Sequence, residues 1–475
     1  MRAAIDAGPQ ARELAEGRRE EGRATSSGQR EPALGPALAV AALGFFVVTL
    51  DAFVVNVALP AIGRDLGGGI TGQQWVVDGY TLMFAALLLS AGALSDRIGA
   101  RQSYGVGLAA FVAASAVCGL APTIGVLVAA RFVQGAGAAV MLPATLALIR
   151  EAYADPVQRA RAIALWSLGA GVASAAGPVV GGFLTLLSWR LIFFINLPVG
   201  AIALLLLARV PRSPGRVVPF DWVGQLAAVL GMATLTDGLI EGGAAGFGSP
   251  RVLGVLALAV AALTAFLIAE ARGARPMVPL GMFRSWPVSV SVAVGFSFTV
   301  GYYGLVFLFS LYFQEVRGLS SAVTGLTFLP MTALGTLMIP VAPRIAERLG
   351  PRVPMAVGQL LMAMGLLGLS VAAAEAPLTL LAALTMLVGL GAALAIPTMT
   401  ALLVDSVPGT LVGTASGVLN TSRQLGGALA VAIFGALIAQ RATFLHGLQV
   451  SLMIAVLLLL ATMAATLALR SARQG

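Results

Sequence analysis

"GALSDRIGAR", residues 92–101, stands between two apolar runs, "YTLMFAALLLSA" (80–91) and "YGVGLAAFVAASAVCGLA" (104–121). Three charges and two glycines fill a gap too short to be a domain. A charged hairpin between two stretches of this kind is what a chain needs where it leaves one membrane helix and enters the next. The rest of the composition agrees. Of 475 residues, 59% are hydrophobic and only 10% are charged, too few charges to cover the surface of a water-soluble protein.

A helix crossing the hydrocarbon core takes about 20 mostly apolar residues. Runs of that kind occur at 37–60, 73–94, 102–122, 124–148, 162–187, 190–208, 222–241 and 251–270. Six more follow at 286–312, 322–342, 353–373, 377–403, 412–437 and 448–469. Fourteen spans put both termini on one side, and arginine says which, because positively charged short loops stay in the cytoplasm. All 29 basic residues are arginine; with both ends inside, 22 fall in cytoplasmic segments and five (Arg64, Arg190, Arg251, Arg317, Arg441) in external loops. Only Arg131 and Arg423 lie within spans. The net charge of +9 therefore reads as membrane topology, and no nucleic-acid partner is expected. The tail at 1–36 balances six arginines against six acids without an apolar core, so it is not a secretory signal and is expected to be disordered.

The opening motif recurs. "DRIGAR" (96–101) returns as "ERLGPR" (347–352), each between two spans on the cytoplasmic side, and "MLPATLALI" (141–149) is echoed by "AIPTMTALL" (395–403). The fold class this predicts is all-α integral membrane, with two related six-helix halves plus two extra central helices, both termini cytoplasmic. The expected division is a tail at 1–36, a first half at 37–208, a linker with two spans at 209–285, a second half at 286–470 and a short tail at 471–475. Two halves related by an axis along the membrane normal are the plan of one large transporter class, with substrate bound at their interface.

Six stretches now stand in order. "GALSDRIGAR" fits Gly-x-Leu-x-Asp-Arg-x-Gly-x-Arg, "RFVQGAGAA" (131–139) fits Arg-x-x-Gln-Gly-x-Gly, and "GPVVGG" (177–182) fits a glycine-proline pattern. "LDAFVVNVALP" (50–60), "WRLIFFINLPVG" (189–200) and "GTASGVLNTSRQLGGALAVAIFG" (413–435) complete the set. With these, the chain resembles the major facilitator superfamily, in its fourteen-span drug:proton antiporter branch, over essentially everything after residue 36. The resemblance implies a multi-pass monomer of the bacterial cytoplasmic membrane that exports drug-like or antibiotic molecules against protons. It makes Gly92, Asp96, Arg97, Gly99 and Arg101 a cytoplasmic gate, a latch that holds the outward-open state. It makes Gly177, Pro178, Gly181 and Gly182 a tight seal against the other half.

Chemistry is sought where charge sits in lipid, since an ionisable group at mid-membrane costs about 2.5–3.5 kcal/mol on insertion scales. Asp51, Asp78, Asp237 and Glu241 qualify. At 1.5 Å per residue, Asp51 lies roughly 13 Å from the outer end of its span, Arg131 about 10 Å and Gln134 about 15 Å, so an Asp51–Arg131 contact is within reach. Such a pair is a proton switch if movement of one half against the other alters how firmly the guanidinium holds the carboxylate against a proton; otherwise it is a static pair that orders the bundle. Asp78 stands about 8 Å from the outer end, where it either joins proton coupling or faces water. Asp237 and Glu241, at i and i+4 outside the two-half core, remain undecided between transport and packing. Gln134, Asn420, Arg423 and Gln424 are expected in the substrate cavity. The second half has no acid well inside a span, which separates this chain from exporters of polycations and leaves room for neutral, zwitterionic or acidic substrates. The aromatics of "FSFTVGYYGLVFLFSLYF" (296–313) either stack on a planar drug or face lipid and core.

With one His446, one Cys118 and no nucleotide-binding glycine loop, no metal, no cofactor and no enzymatic activity are expected. A uniporter or nutrient importer on the same fold is the alternative.

Overall fold

A computed structural model describes residues 35–215, 221–273, 276–338 and 341–469. The expected tails at 1–36 and 471–475 lie outside the described residues, apart from Gly35 and Pro36. Among the described residues the regular elements are all helices. The first are α1 (Pro36–Leu66), α2 (Gly69–Ile98), α3 (Ala100–Leu120), α4 (Ile124–Ala152) and α5 (Pro156–Leu187). After them come the short α6 (Leu191–Phe194) and α7 (Asn196–Leu207), then α8 (Trp222–Ala245) and α9 (Pro250–Arg272). The remainder are α10 (Trp286–Leu311), α11 (Ser321–Met338), α12 (Val341–Leu349), α13 (Arg352–Ala372), α14 (Leu378–Asp405), α15 (Val412–Leu437) and α16 (Phe444–Leu467).

Local chemistry sets the helix starts. Proline occupies the first turn of α1, α5, α9 and α10, where its missing N–H costs nothing. The Thr123 hydroxyl accepts the Val126 N–H (3.4 Å) ahead of α4, and the Asp155 carboxylate accepts that of Gln158 (2.8 Å) ahead of α5. Gly99 joins α2 to α3 at φ +92°, and Gly350 repeats the turn between α12 and α13 at φ +79°, so the two copies of the charged motif share a backbone conformation that side chains disfavour. Gly92 is different. It lies inside α2 with open space where a Cβ would be, whereas a Cβ on Gly99 would stand 2.5 Å from the Ser213 carbonyl.

Among the described residues, twelve helices are long and apolar enough to cross a membrane. The stretch expected to span at 190–208 is the shorter apolar helix pair α6–α7, joined through Ile195 with helical backbone angles, and that at 412–437 is α15, whose apolar run is diluted by Asn420, Arg423 and Gln424. Large apolar side chains cover the outside: Leu187, Leu205, Leu337 and Val371 are each more than two-thirds exposed. In water such a surface would aggregate; in lipid it is solvated.

Helices α1–α7 pack into one bundle and α10–α16 into another, while the α8–α9 hairpin lies across α2 and α15. The Gln225 amide of α8 donates to the Ala86 carbonyl (2.8 Å) and bonds Ser90, fixing the hairpin to α2. The bundles are tied together at the end bearing the Gly67–Gly69 loop. There the Gln74 amide donates to the Val431 (3.0 Å) and Ala432 (2.8 Å) carbonyls, Gln314 donates to Val57 (2.9 Å), and the Ser321 hydroxyl donates to Gly182 (2.9 Å). Of the α5 residues expected to seal against the other half, Gly182 and Pro178 meet it: a Cβ at Gly182 would lie 2.5 Å from the Ser321 carbonyl, and the Pro178 carbonyl lies against Gly325 of α11. Gly177 and Gly181 instead face α1 of their own bundle, where a Cβ would lie 2.7 Å from Phe53 and 2.7 Å from the Val54 carbonyl, respectively.

Candidate functional site

Asp51 lies fifteen residues into α1 and is fully buried. Its Oδ2 pairs with the Arg131 guanidinium of α4, and its Oδ1 accepts from the Gln134 amide (2.9 Å) and from the Asn196 amide of α7 (2.9 Å). Arg131 is just as enclosed, 1% exposed. Its Nε donates to the Val76 carbonyl of α2 (2.9 Å), Nη1 also donates to Gln134 Oε1 (2.9 Å), and the guanidinium lies 4.4 Å from the Tyr80 ring centre and 5.8 Å from that of Phe193. Asn196 makes a second bond to Ser115 of α3 (3.0 Å), which in turn donates to the Phe193 carbonyl (2.9 Å). The Cys118 thiol donates to Gln134 Oε1 at 3.6 Å. Six elements thus close a buried shell around one carboxylate and one guanidinium.

Arg131 and Gln134 share a face of α4 because they are three residues apart. Buried ions survive only when paired and hydrogen-bonded, and here each charge has several polar partners. The arrangement can do one simple piece of chemistry: exchange Arg131 for a proton at the Asp51 carboxylate.

The structure brings Asp51, Arg131 and Gln134 together. Gln134 belongs to this shell and is completely buried, so it stands apart from Asn420, Arg423 and Gln424, with which it was grouped. Asp78 is also fully buried, which removes the water-facing alternative, and neither carboxylate oxygen has a hydrogen-bond partner among the described residues. It is covered by α15: Gln74 of α2 bonds Ala432 and Thr421 of α15 bonds Ala85 (3.4 Å), which places Asp78 on the α2 face between those two contacts. Asn420, Arg423 and Gln424 are half-buried on α15. Asp96 and Arg97 are exposed at the end of α2, and Asp96 makes no ion pair among the described residues. Arg101 donates through Nε to the Leu207 carbonyl (3.2 Å) and through its backbone N–H to the Ser213 hydroxyl (3.0 Å), which itself donates to Glu151 (2.5 Å). Glu241 reaches Arg251 at 3.8 Å at the tip of the α8–α9 hairpin. Sequence reasoning missed Asn196 and Ser115; the available signal was an isolated asparagine in "FFINLPVG".

The family model described as Major Facilitator Superfamily matches residues 41–431, and the chain belongs to this family of membrane transporters. It is 37% identical over 413 residues to the tetracenomycin C resistance and export protein of Streptomyces glaucescens, covering 86% of this chain and 76% of that one. It is 36% identical over 416 residues to the methylenomycin A resistance protein of Bacillus subtilis, covering 86% and 89%. The multidrug resistance protein Stp of Mycobacterium tuberculosis is 36% identical over 400 residues, covering 84% and 74%. Among solved structures, a peptide transporter of the POT family in complex with sulfate superposes with a TM-score of 0.68 at 15% identity, covering 90% of this chain and 94% of that one. At that identity the likeness concerns the fold.

Proposed function

We propose that the protein exports drug-like or antibiotic small molecules across the bacterial cytoplasmic membrane in exchange for protons, by alternating access. The observation that carries this reading is the Asp51–Arg131 pair, an acid and a base held in a buried shell inside the first bundle. The resistance proteins it resembles supply the substrate class. Fourteen spans, counting α6–α7 and α15, place both termini in the cytoplasm, with halves at 37–208 and 286–470 and the hairpin region at 209–285 between them.

In that topology the Gly67–Gly69 end is external and closed, and the charged motif is cytoplasmic. The unlatched, exposed Asp96 then belongs with the closed external end: the conformation faces inward. For the cycle to turn, α1 has to shift against α4 within the first bundle as the halves rock, which loosens Arg131 from Asp51 and lets a proton take its place. Protonated Asp51 tolerates burial without its partner. Return of the guanidinium expels the proton. Each proton that enters supplies about 2.3 kcal/mol per 100 mV of membrane potential. Asp78, buried and unpaired, is the second acid available to the relay.

Everted vesicles loaded with a pH-sensitive dye test this. Drug addition is expected to release protons from wild type and not from Asp51→Asn. Proton release that survives in the variant moves coupling to Asp78; drug movement without any proton flux selects the uniporter instead.

A further inference from the structure

Arg423 sits near the middle of α15 and is the second of only two arginines placed inside spans. Unlike Arg131 it has no counter-ion. Among the described residues it forms no ion pair and no hydrogen bond, and its Nε is buried without a partner. Helices α10–α16 carry acids only near their ends, at Glu315, Glu347, Glu375 and Asp405. Asp78 on the facing α2 is sealed under α15 with zero exposure, whereas Arg423 is half-buried. Of these two charges, only the positive one keeps any exposed surface. A guanidinium in lipid without a partner is costly, so its retention points to a partner that comes and goes.

The neighbours say what kind. Arg423 runs along α10, with its Cγ 3.2 Å from where a Cβ on Gly295 would be. One turn along α15, at Gly427, the Tyr303 ring lies 3.4 Å from the corresponding position. Tyr303 stacks on Phe53 of α1 at 5.6 Å between ring centres and an interplanar angle of 16°, and Tyr302 meets Phe53 edge-on at 5.9 Å. Three rings therefore bridge the two bundles beside the arginine. Gln424 has no hydrogen bond among the described residues, and Asn420 uses its amide N–H on Ser416 (3.1 Å) and keeps its carbonyl oxygen free.

We infer that the transported molecule is a planar aromatic acid: its carboxylate or ionised phenol seats on the Arg423 guanidinium, and its ring system lies against Tyr303, Tyr302 and Phe53. Guanidinium and carboxylate match as a two-pronged pair, and flat rings pack well on tyrosine. This rests on the efflux reading and names the substrate class of the same transporter.

Three matched probes separate charge from shape: anthraquinone-2-carboxylate, the neutral anthraquinone-2-carboxamide and a 2-(trimethylammoniomethyl) anthraquinone. Binding to the purified full chain is measured by equilibrium dialysis, with monodispersity checked for every variant. The carboxylate is expected to bind about tenfold more tightly than the other two, the size of a charge-assisted hydrogen bond. Arg423→Gln is expected to bring it down to the carboxamide's level, Arg423→Lys to retain part of the preference, and Tyr303→Leu to weaken all three. Tightest binding by the cation, a carboxylate preference that survives Arg423→Gln, or no binding by any probe overturns the inference. Proton release by wild-type vesicles in response to any drug keeps the efflux reading alive after such a failure; silence toward every compound removes both.

Discussion

Asp51 takes three donors on two oxygens, and the distribution of those donors dictates how its substitutions behave. Removing only Arg131 leaves a buried carboxylate held by two amides, a change that costs about 3–5 kcal/mol in comparable buried pairs. Arg131→Gln is therefore expected to lower the thermal midpoint in detergent sharply, while Asp51→Asn/Arg131→Gln recovers most of the loss; equal destabilisation by the single and double variants would contradict the pairing. The two charged partners were legible because a charge inside an apolar run has few explanations. Asn196 was not, since one neutral amide in an apolar segment fits surface, packing or site equally well until α7 is seen against α1. For Asp78 two readings stayed open for a related reason: counting residues from a helix end gives depth, but the cover comes from α15, far away in sequence.

At the scale of single elements, the charged hairpin contains two glycines of different kinds. Gly99 holds a left-handed backbone against the Ser213 carbonyl, whereas Gly92 is an ordinary helical position with room beside it. Gly99→Ala is expected to cost about 1–3 kcal/mol, read as a lower unfolding temperature, and Gly92→Ala to be neutral or slightly stabilising in the same assay. The motif's spacing showed the turn and its repeat at Gly350. It could not show Ser213, because the 210–215 segment belongs to the linker and reaches the hairpin only after α3, α4 and α7 have packed. Helix boundaries followed apolar length closely, including the 190–208 run, which is helical over Leu191–Leu207.

For the molecule as a whole, the closed Gly67–Gly69 end is the testable feature. A Cβ on Gly435 would lie 2.6 Å from Gln74 Cγ, so paired cysteines at these positions fall within disulfide reach. Oxidised Gln74→Cys/Gly435→Cys is expected to cross-link without added reagent and to stop transport, with activity returning on reduction; transport by the cross-linked form would mean that this end stays shut throughout the cycle. The two-bundle plan was readable from the repeated motifs, whereas the side on which the bundles meet depends on polar contacts such as Gln314 to Val57 that no local pattern announces.

The wild-type chain also contains its own reporter. Cys118 is its single thiol, has no exposed surface, and touches Gln134 inside the shell around Asp51. A maleimide can label it only during moments when water enters that shell, so the labelling rate of unmodified protein is a clock for the opening of the ion pair. A proton gradient is expected to quicken it and Asp51→Asn to quicken it further, with mass spectrometry counting a single adduct and no cysteine having to be engineered.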